Sequence, residues 1–213
     1  LFPDNVGRVV LDSAMDPALS RQEAFEGDAA AWEQTLRTYI ESQQGKAGFP
    51  LSGTTDEAIS RLATFLDGLD AHPLTVSDGG KPLDRAKASM AIRTLVVASP
   101  DNWPLLTEGL AQAMNAHDGT TLMRNAESLS GGGGSPGTEE QTVELLQSVY
   151  AFSANRCLDF PDTGNQASWD AALASYRRDY PVFHSLVPQH NAYCHGWGHT
   201  GKTEPVDVDV DAT

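Results

Sequence analysis

Basic residues are scarce in this sequence: Lys and Arg number 14 against 29 Asp and Glu, giving a formal charge of −15 over 213 residues. A nucleic-acid partner needs clustered Lys and Arg to replace the counterions on its phosphates, so this balance argues against nucleic-acid binding. The acidity is spread along the chain, and its plain meaning is solubility; attraction for cationic substrates is the sharper alternative. Long apolar runs are missing as well. None approaches the roughly 18 residues of a spanning helix, and the first residues have neither the basic nor the apolar region of a signal peptide, so no membrane association is expected. Cysteine is nearly absent. Cys157 and Cys194 allow only one pairing; a bridge between them closes roughly 37 residues and contributes about 3 to 4 kcal/mol on the chain-entropy estimate. Two separate buried thiols are the alternative.

What is present is mostly helical patterning. Phe25, Trp32, Leu36, Tyr39 and Ile40 recur at helical spacing, with Glu26, Asp28, Glu33, Gln34, Arg37 and Glu41 between them, which predicts an amphipathic helix from about Ser20 to Gln43. Gly45, Gly48 and Pro50 stop it. Thr54 and Glu57 have capping-box spacing and open a second helix through Leu69. After His72-Pro73, Leu74-Thr75-Val76 and the Ser77 to Lys81 turn suggest a small hairpin or exposed turn. Asp84 is positioned to cap a third helix through Val97, and Pro100 to Pro104 start a fourth with Leu105, Leu106, Leu110 and Met114 inward. A shorter helix follows Asp118-Gly119 and ends near Leu129. Thr138 to Gln141 open another through Val143, Tyr150 and Phe152 towards Cys157. Ser168-Trp169-Asp170 begin the last, with Leu173, Tyr176, Val182 and Phe183 packing inward. Ser130 to Gly137 has the composition of a flexible linker, either a natural variable loop or an engineered replacement. No strand precedes it and no Lys-Ser/Thr closes it, so it does not fit a phosphate-binding loop.

The two ends read differently. Val6 to Leu11 is a short apolar run suited to a strand buried on both faces of a parallel sheet, and Val206 to Asp211 alternates with period two. Phe2-Pro3-Asp4-Asn5-Val6-Gly7-Arg8-Val9-Val10-Leu11-Asp12 with Asp16-Pro17 resembles the strand that leads into the inserted lid of secreted tripeptidyl aminopeptidase-like α/β-hydrolases; Ser13 stands where that family usually has Gly. Ala91-Ile92-Arg93-Thr94-Leu95 with Trp103, Leu106, Leu110, Ala111 and Ala113 resembles a second stretch of the same family. Cys157-Leu158-Asp159-Phe160-Pro161 and Cys194-His195-Gly196-Trp197 resemble two more, although Gly198 replaces a proline that often follows the Trp. A further cysteine pair common in the family has no counterpart between Glu41 and Leu51.

The resemblance implies a mostly α fold: the helical lid domain of an α/β-hydrolase with short strand remnants at the ends. Residues 1–17 are then a remnant of the hydrolase sheet, 18–195 the lid with its Gly-rich loop at 130–137, and 196–213 a connector back to the sheet. It also implies a secreted or cell-surface location, often actinobacterial, and a Cys157–Cys194 disulfide. The parent would be a serine peptidase releasing short peptides from free N-termini, with this chain gating access and shaping the pocket. Its implied partners are the catalytic portion of that parent and, through it, the peptide; no cofactor is implied.

Hydrolases of this kind expose their serine on a G-x-S-x-G turn, which aligns backbone donors for the oxyanion. The sequence has one such match, Gly133-Gly134-Ser135-Pro136-Gly137, but it lies in the Gly-rich linker-like run, and Pro136 has no backbone N–H where the oxyanion donor after the serine is needed, so no catalytic residue is assigned. Ser13 comes nearest by context but lacks the flanking glycines. His184, His190, Cys194, His195 and His199 raise the question of zinc, yet their spacing is loose and Cys194 has Cys157 as a competing partner, so no metal site is assigned. Lids of this class commonly supply acidic groups for the substrate's amino terminus. Carboxylates of the first helix or of the Cys157-Leu158-Asp159 turn suit that role, without singling one out. The rival reading is an independent helical binding or interaction module; a lid requires Asp16 and the Trp197 to Pro205 region to lie close together.

Overall fold

The computed structural model describes residues 10, 12, 16, 19–77, 79–129, 139–159, 164–186 and 194. Seven α-helices account for most of them: α1 (Arg21–Gln43), α2 (Thr55–Ala71), α3 (Arg85–Ala98), α4 (Trp103–Ala116), α5 (Thr120–Leu129), α6 (Glu139–Asp159) and α7 (Gln166–Asp179). Short 3-10 turns stand at Pro100–Asn102 and His184–Leu186. The expected mostly helical fold is therefore present. The expected strand at 6–11 lies outside the described residues except for Val10, which is 91% exposed. The Gly-rich segment 130–137 and the connector 196–213 also lie outside them, as does the expected proximity of Asp16 to Trp197 and Pro205.

The helix starts follow from local chemistry. At α1 the Glu23 amide donates to Ser20 Oγ at 3.3 Å, while the Ser20 amide donates to the Glu23 carboxylate at 2.8 Å. Thr54 and Glu57 make the same reciprocal pair at α2, and Asp84 accepts from the Lys87 amide at 2.9 Å at α3. Each satisfies amides that the first turn leaves without an intrahelical acceptor. At α7 the box sits one turn earlier than the sequence suggests. Asn165 is the cap and Ser168 its third-position partner, so the helix begins at Gln166 rather than Ser168.

α3 is the central helix, packing against α1, α2, α4 and α5. Ala88, Ala91, Ile92, Leu95 and Val96 enter the core, where they meet Leu36, Tyr39 and Ile40 of α1, Leu62 and Leu66 of α2, and Leu106 and Leu110 of α4. Small residues on α3 let the neighbouring helices approach, and larger ones beside them fill the remaining space. Tyr39 anchors the centre, edge-on to Phe49 and Trp103 at ring separations of 5.9 and 5.7 Å. Its hydroxyl shares a 2.8 Å hydrogen bond with Thr107, and burial pushes its pKa up to about 12. A smaller cluster of Phe25, Ala29, Ala172 and Tyr176 joins α1 to α7. Leu105, expected to face inward from its spacing, is 37% exposed, and Val97 near the end of α3 is 46% exposed. On α6, Val143, Tyr150 and Phe152 are exposed too.

The segment between α2 and α3 is a small hairpin closed by a Leu74–Leu83 antiparallel bridge. It is docked on the α4–α5 corner by a parallel bridge from Thr75 to Asp118, in which the Gly119 amide donates to the Thr75 carbonyl at 2.9 Å. Asp118 organises this corner. Its carboxylate accepts from the Ser77 hydroxyl at 2.7 Å, from Gln112 at 3.0 Å and from the Thr120 amide at 3.0 Å; the Thr120 and Ser77 hydrogen bonds hold its pKa below the usual value. Gly119 is required by the close approach. A Cβ there would sit 2.7 Å from Leu83 Cβ and 3.3 Å from Leu74 Cβ, atoms held by the hairpin. We therefore expect Gly119→Ala to destabilise the chain by about 1 to 3 kcal/mol in urea unfolding. Gly109→Ala should cost less, because its nearest obstacle is a terminal methyl of Leu122 rather than atoms next to the backbone.

Candidate functional site

Helix α7 divides two polar places of different character. On one side Tyr176 packs towards α1 with Tyr180 just beyond the helix; on the other, Leu173 and Arg177 line a cleft shared with α2, α3 and the His184–Leu186 turn.

The α1 side contains Glu33. Positions 25, 29, 33, 36 and 40 follow one another at helical spacing along the buried stripe of α1, and Glu33 is the acidic member of that series, only 6% exposed. Both its carboxylate oxygens are buried without a hydrogen-bond partner. Desolvation raises its pKa from 4.5 to about 7, with Arg37 acting in the opposite sense. Arg37 lies one turn along, but its guanidinium donates to Asp56 of α2 at 2.7 Å, which leaves the Glu33 oxygens unbonded. Across the interface Tyr176 faces the Glu26 carboxylate, although its hydroxyl meets no partner with hydrogen-bond geometry. Burial raises the pKa of both Tyr176 and Tyr180, and nearby Glu26 adds to both shifts. A buried carboxylate without a counter-charge is costly, and such groups are enriched at functional sites.

Arg85 sets the floor of the cleft. It is the first residue of α3, and its side chain is only 7% exposed. Its guanidinium donates to Asp67 and lies 3.9 Å from Asp70, both on α2. Nη2 stands 3.2 Å from His184 Nε2. His184 Nδ1 is 3.0 Å from the Pro181 carbonyl and must carry the proton to donate there, which makes Nε2 the acceptor for Arg85. Burial and the Arg85 charge both hold the His184 pKa below its ordinary value, consistent with a neutral ring. Arg85 Nε and Ser185 Oγ are buried without partners.

The disulfide expected between Cys157 and Cys194 is present, with both residues buried and their Cα atoms 5.4 Å apart, within the ordinary span of a bridge. It fastens the end of α6 to the segment after the last 3-10 turn. One residue earlier, the Arg156 guanidinium lies 4.8 Å from the Phe25 ring centre and 5.4 Å from that of Phe152, tying α6 to the start of α1. Cys194 is thus committed to sulfur and His184 to Arg85 and Pro181. His190, His195, His199 and Ser13 lie outside the described residues.

Of the carboxylates proposed from sequence, Asp159 is exposed, whereas Glu33 is buried despite being read among the polar positions. The 29-33-36-40 spacing carried the signal. His184 is legible in the sequence only as a possible zinc ligand, and its pairing with Arg85 is not legible, because the two lie 99 residues apart.

No family model matches the chain. Over 181 residues it is 27% identical to proteins named Carboxylesterase B from two strains of Mycobacterium tuberculosis, and equally to a Mycobacterium bovis protein described as a hydrolase. These alignments cover 84% of this chain and 33% of each relative, so the chain spans about a third of their length. No helix among the described residues is long and apolar enough to cross a membrane. The folded helices and these similarities together make the chain a mostly helical, hydrolase-related region.

Proposed function

We propose that this region is the substrate-gating and pocket-forming lid of a secreted serine hydrolase, acting with a catalytic portion supplied by the rest of its parent. The observation that carries the reading is similarity to a third of each relative by a helical sequence whose one G-x-S-x-G match, Gly133 to Gly137, has Pro136 where the oxyanion donor is needed. A helical cover over a catalytic cleft excludes water and completes the pocket as it closes. The buried disulfide suits an oxidising, extracytoplasmic setting.

The favoured substrates are short peptides with a free amino terminus, and Glu33 is the lid carboxylate best suited to receive that ammonium. It has two unbonded oxygens, and a cationic substrate would supply the missing counter-charge. In the full-length parent, Glu33→Gln should raise KM for a tripeptide p-nitroanilide about tenfold or more. The N-acetylated tripeptide should be turned over equally by both enzymes. Equal losses with both substrates would remove Glu33 from amino-terminal recognition.

The carboxylesterase name of the Mycobacterium tuberculosis relatives supports a second substrate class. An ester-cleaving parent would turn over p-nitrophenyl acyl esters faster than any tripeptide anilide and would be insensitive to Glu33→Gln.

A further inference from the structure

The cleft between α2, α3 and α7 has a volume of about 580 Å³, in the range of small-molecule sites. Its charged lining is balanced. Asp67 and Asp70 on α2 face Arg85 on α3 and Arg177 on α7, so the four formal charges cancel. They are not all used internally. Arg85 bonds to Asp67 and His184 but keeps a buried Nε with no acceptor, and Ser185 keeps a buried hydroxyl with no partner. Asp70 stands 3.9 Å from Arg85, beyond hydrogen-bond range. Arg177 is exposed at the rim. Leu173 and Pro181 add apolar surface between these groups.

We propose that this cleft binds a small zwitterion: a free α-amino acid or a dipeptide. The Arg177 guanidinium at the rim, with the Arg85 charge behind it on the floor, suits a carboxylate, while Asp70 suits an ammonium. A simple anion would face Asp70, and a simple cation would face the two arginines; only a ligand carrying both charges is complementary to both sides. The apolar lining then takes the side chain. His184, with its proton on Nδ1 and an unprotonated Nε2 that accepts from Arg85, adds no charge and keeps the guanidinium in place. This inference does not depend on the lid reading, because it concerns a cleft formed within the chain itself.

The test is calorimetric titration of the 213-residue chain with L-leucine, dialanine, N-acetyl-leucine and leucinamide. We expect saturable binding of leucine or dialanine, with about tenfold or weaker binding of both blocked forms. Arg177→Met and Asp70→Asn, at exposed rim positions that leave the core intact, should each weaken the zwitterion about tenfold. Absence of saturable binding, equal binding of leucine and leucinamide, or unchanged binding by both variants would overturn the proposal.

Discussion

Glu33→Gln should stabilise the chain at pH 8 by about 2 to 3 kcal/mol and should have little effect at pH 4. The free carboxyl titrates near 4.5 and the folded one at about 7, because burial penalises its charge. Between those values the folded state binds more protons than the unfolded state, so stability falls as pH rises. Below 4.5 both states are protonated and this penalty is absent; above 7 both are ionised and it is complete. A separation of roughly 2.5 units corresponds to about 3 kcal/mol, and the amide, which remains buried without a partner, recovers most of it. Urea unfolding from pH 4 to 8 measures the effect. Parallel stability curves for the two proteins would mean that the carboxylate is solvated or paired. A group that lowers stability unless a cation reaches it is expected at a binding site, where structure is held for function at a cost in stability.

Removing the disulfide should cost a similar amount through a different route. The bridge joins residues 37 apart, and the unfolded chain gains the corresponding loop freedom when it is opened, about 3 to 4 kcal/mol. For a chain of this size that lowers the thermal midpoint by roughly 10 °C. The double variant Cys157→Ser, Cys194→Ser should match the reduced protein at pH 8. An unchanged midpoint after confirmed reduction would show that the end of α6 and Cys194 unfold independently of the core. The two effects should add, since Glu33 acts through its burial in the folded state while the bridge acts on the unfolded ensemble.

The sequence reveals local structure well because caps are local. Ser20 with Glu23 and Thr54 with Glu57 need three residues each to declare a helix start. The shift at α7 shows the limit: Ser168 is a good cap residue, but Asn165 already occupies that role three positions earlier. Tertiary chemistry is less legible. Glu33 reads as a polar position of α1 because its residue type outweighs its place in the 29-33-36-40 series. Arg85 is the first residue of α3, and only the packing of α2 and the His184 turn against that helix buries it. The docking of Thr75 on Asp118 likewise depends on a contact that hairpin periodicity does not encode.

Active-site labelling tests the account most directly. A fluorophosphonate reacts with an activated serine, so the chain alone and its full-length parent should be incubated with the probe and mapped by peptide mass spectrometry. The expected result is an adduct in the parent on a serine outside residues 1–213 and no adduct on the isolated chain. A stoichiometric adduct on any serine within these residues would contradict it.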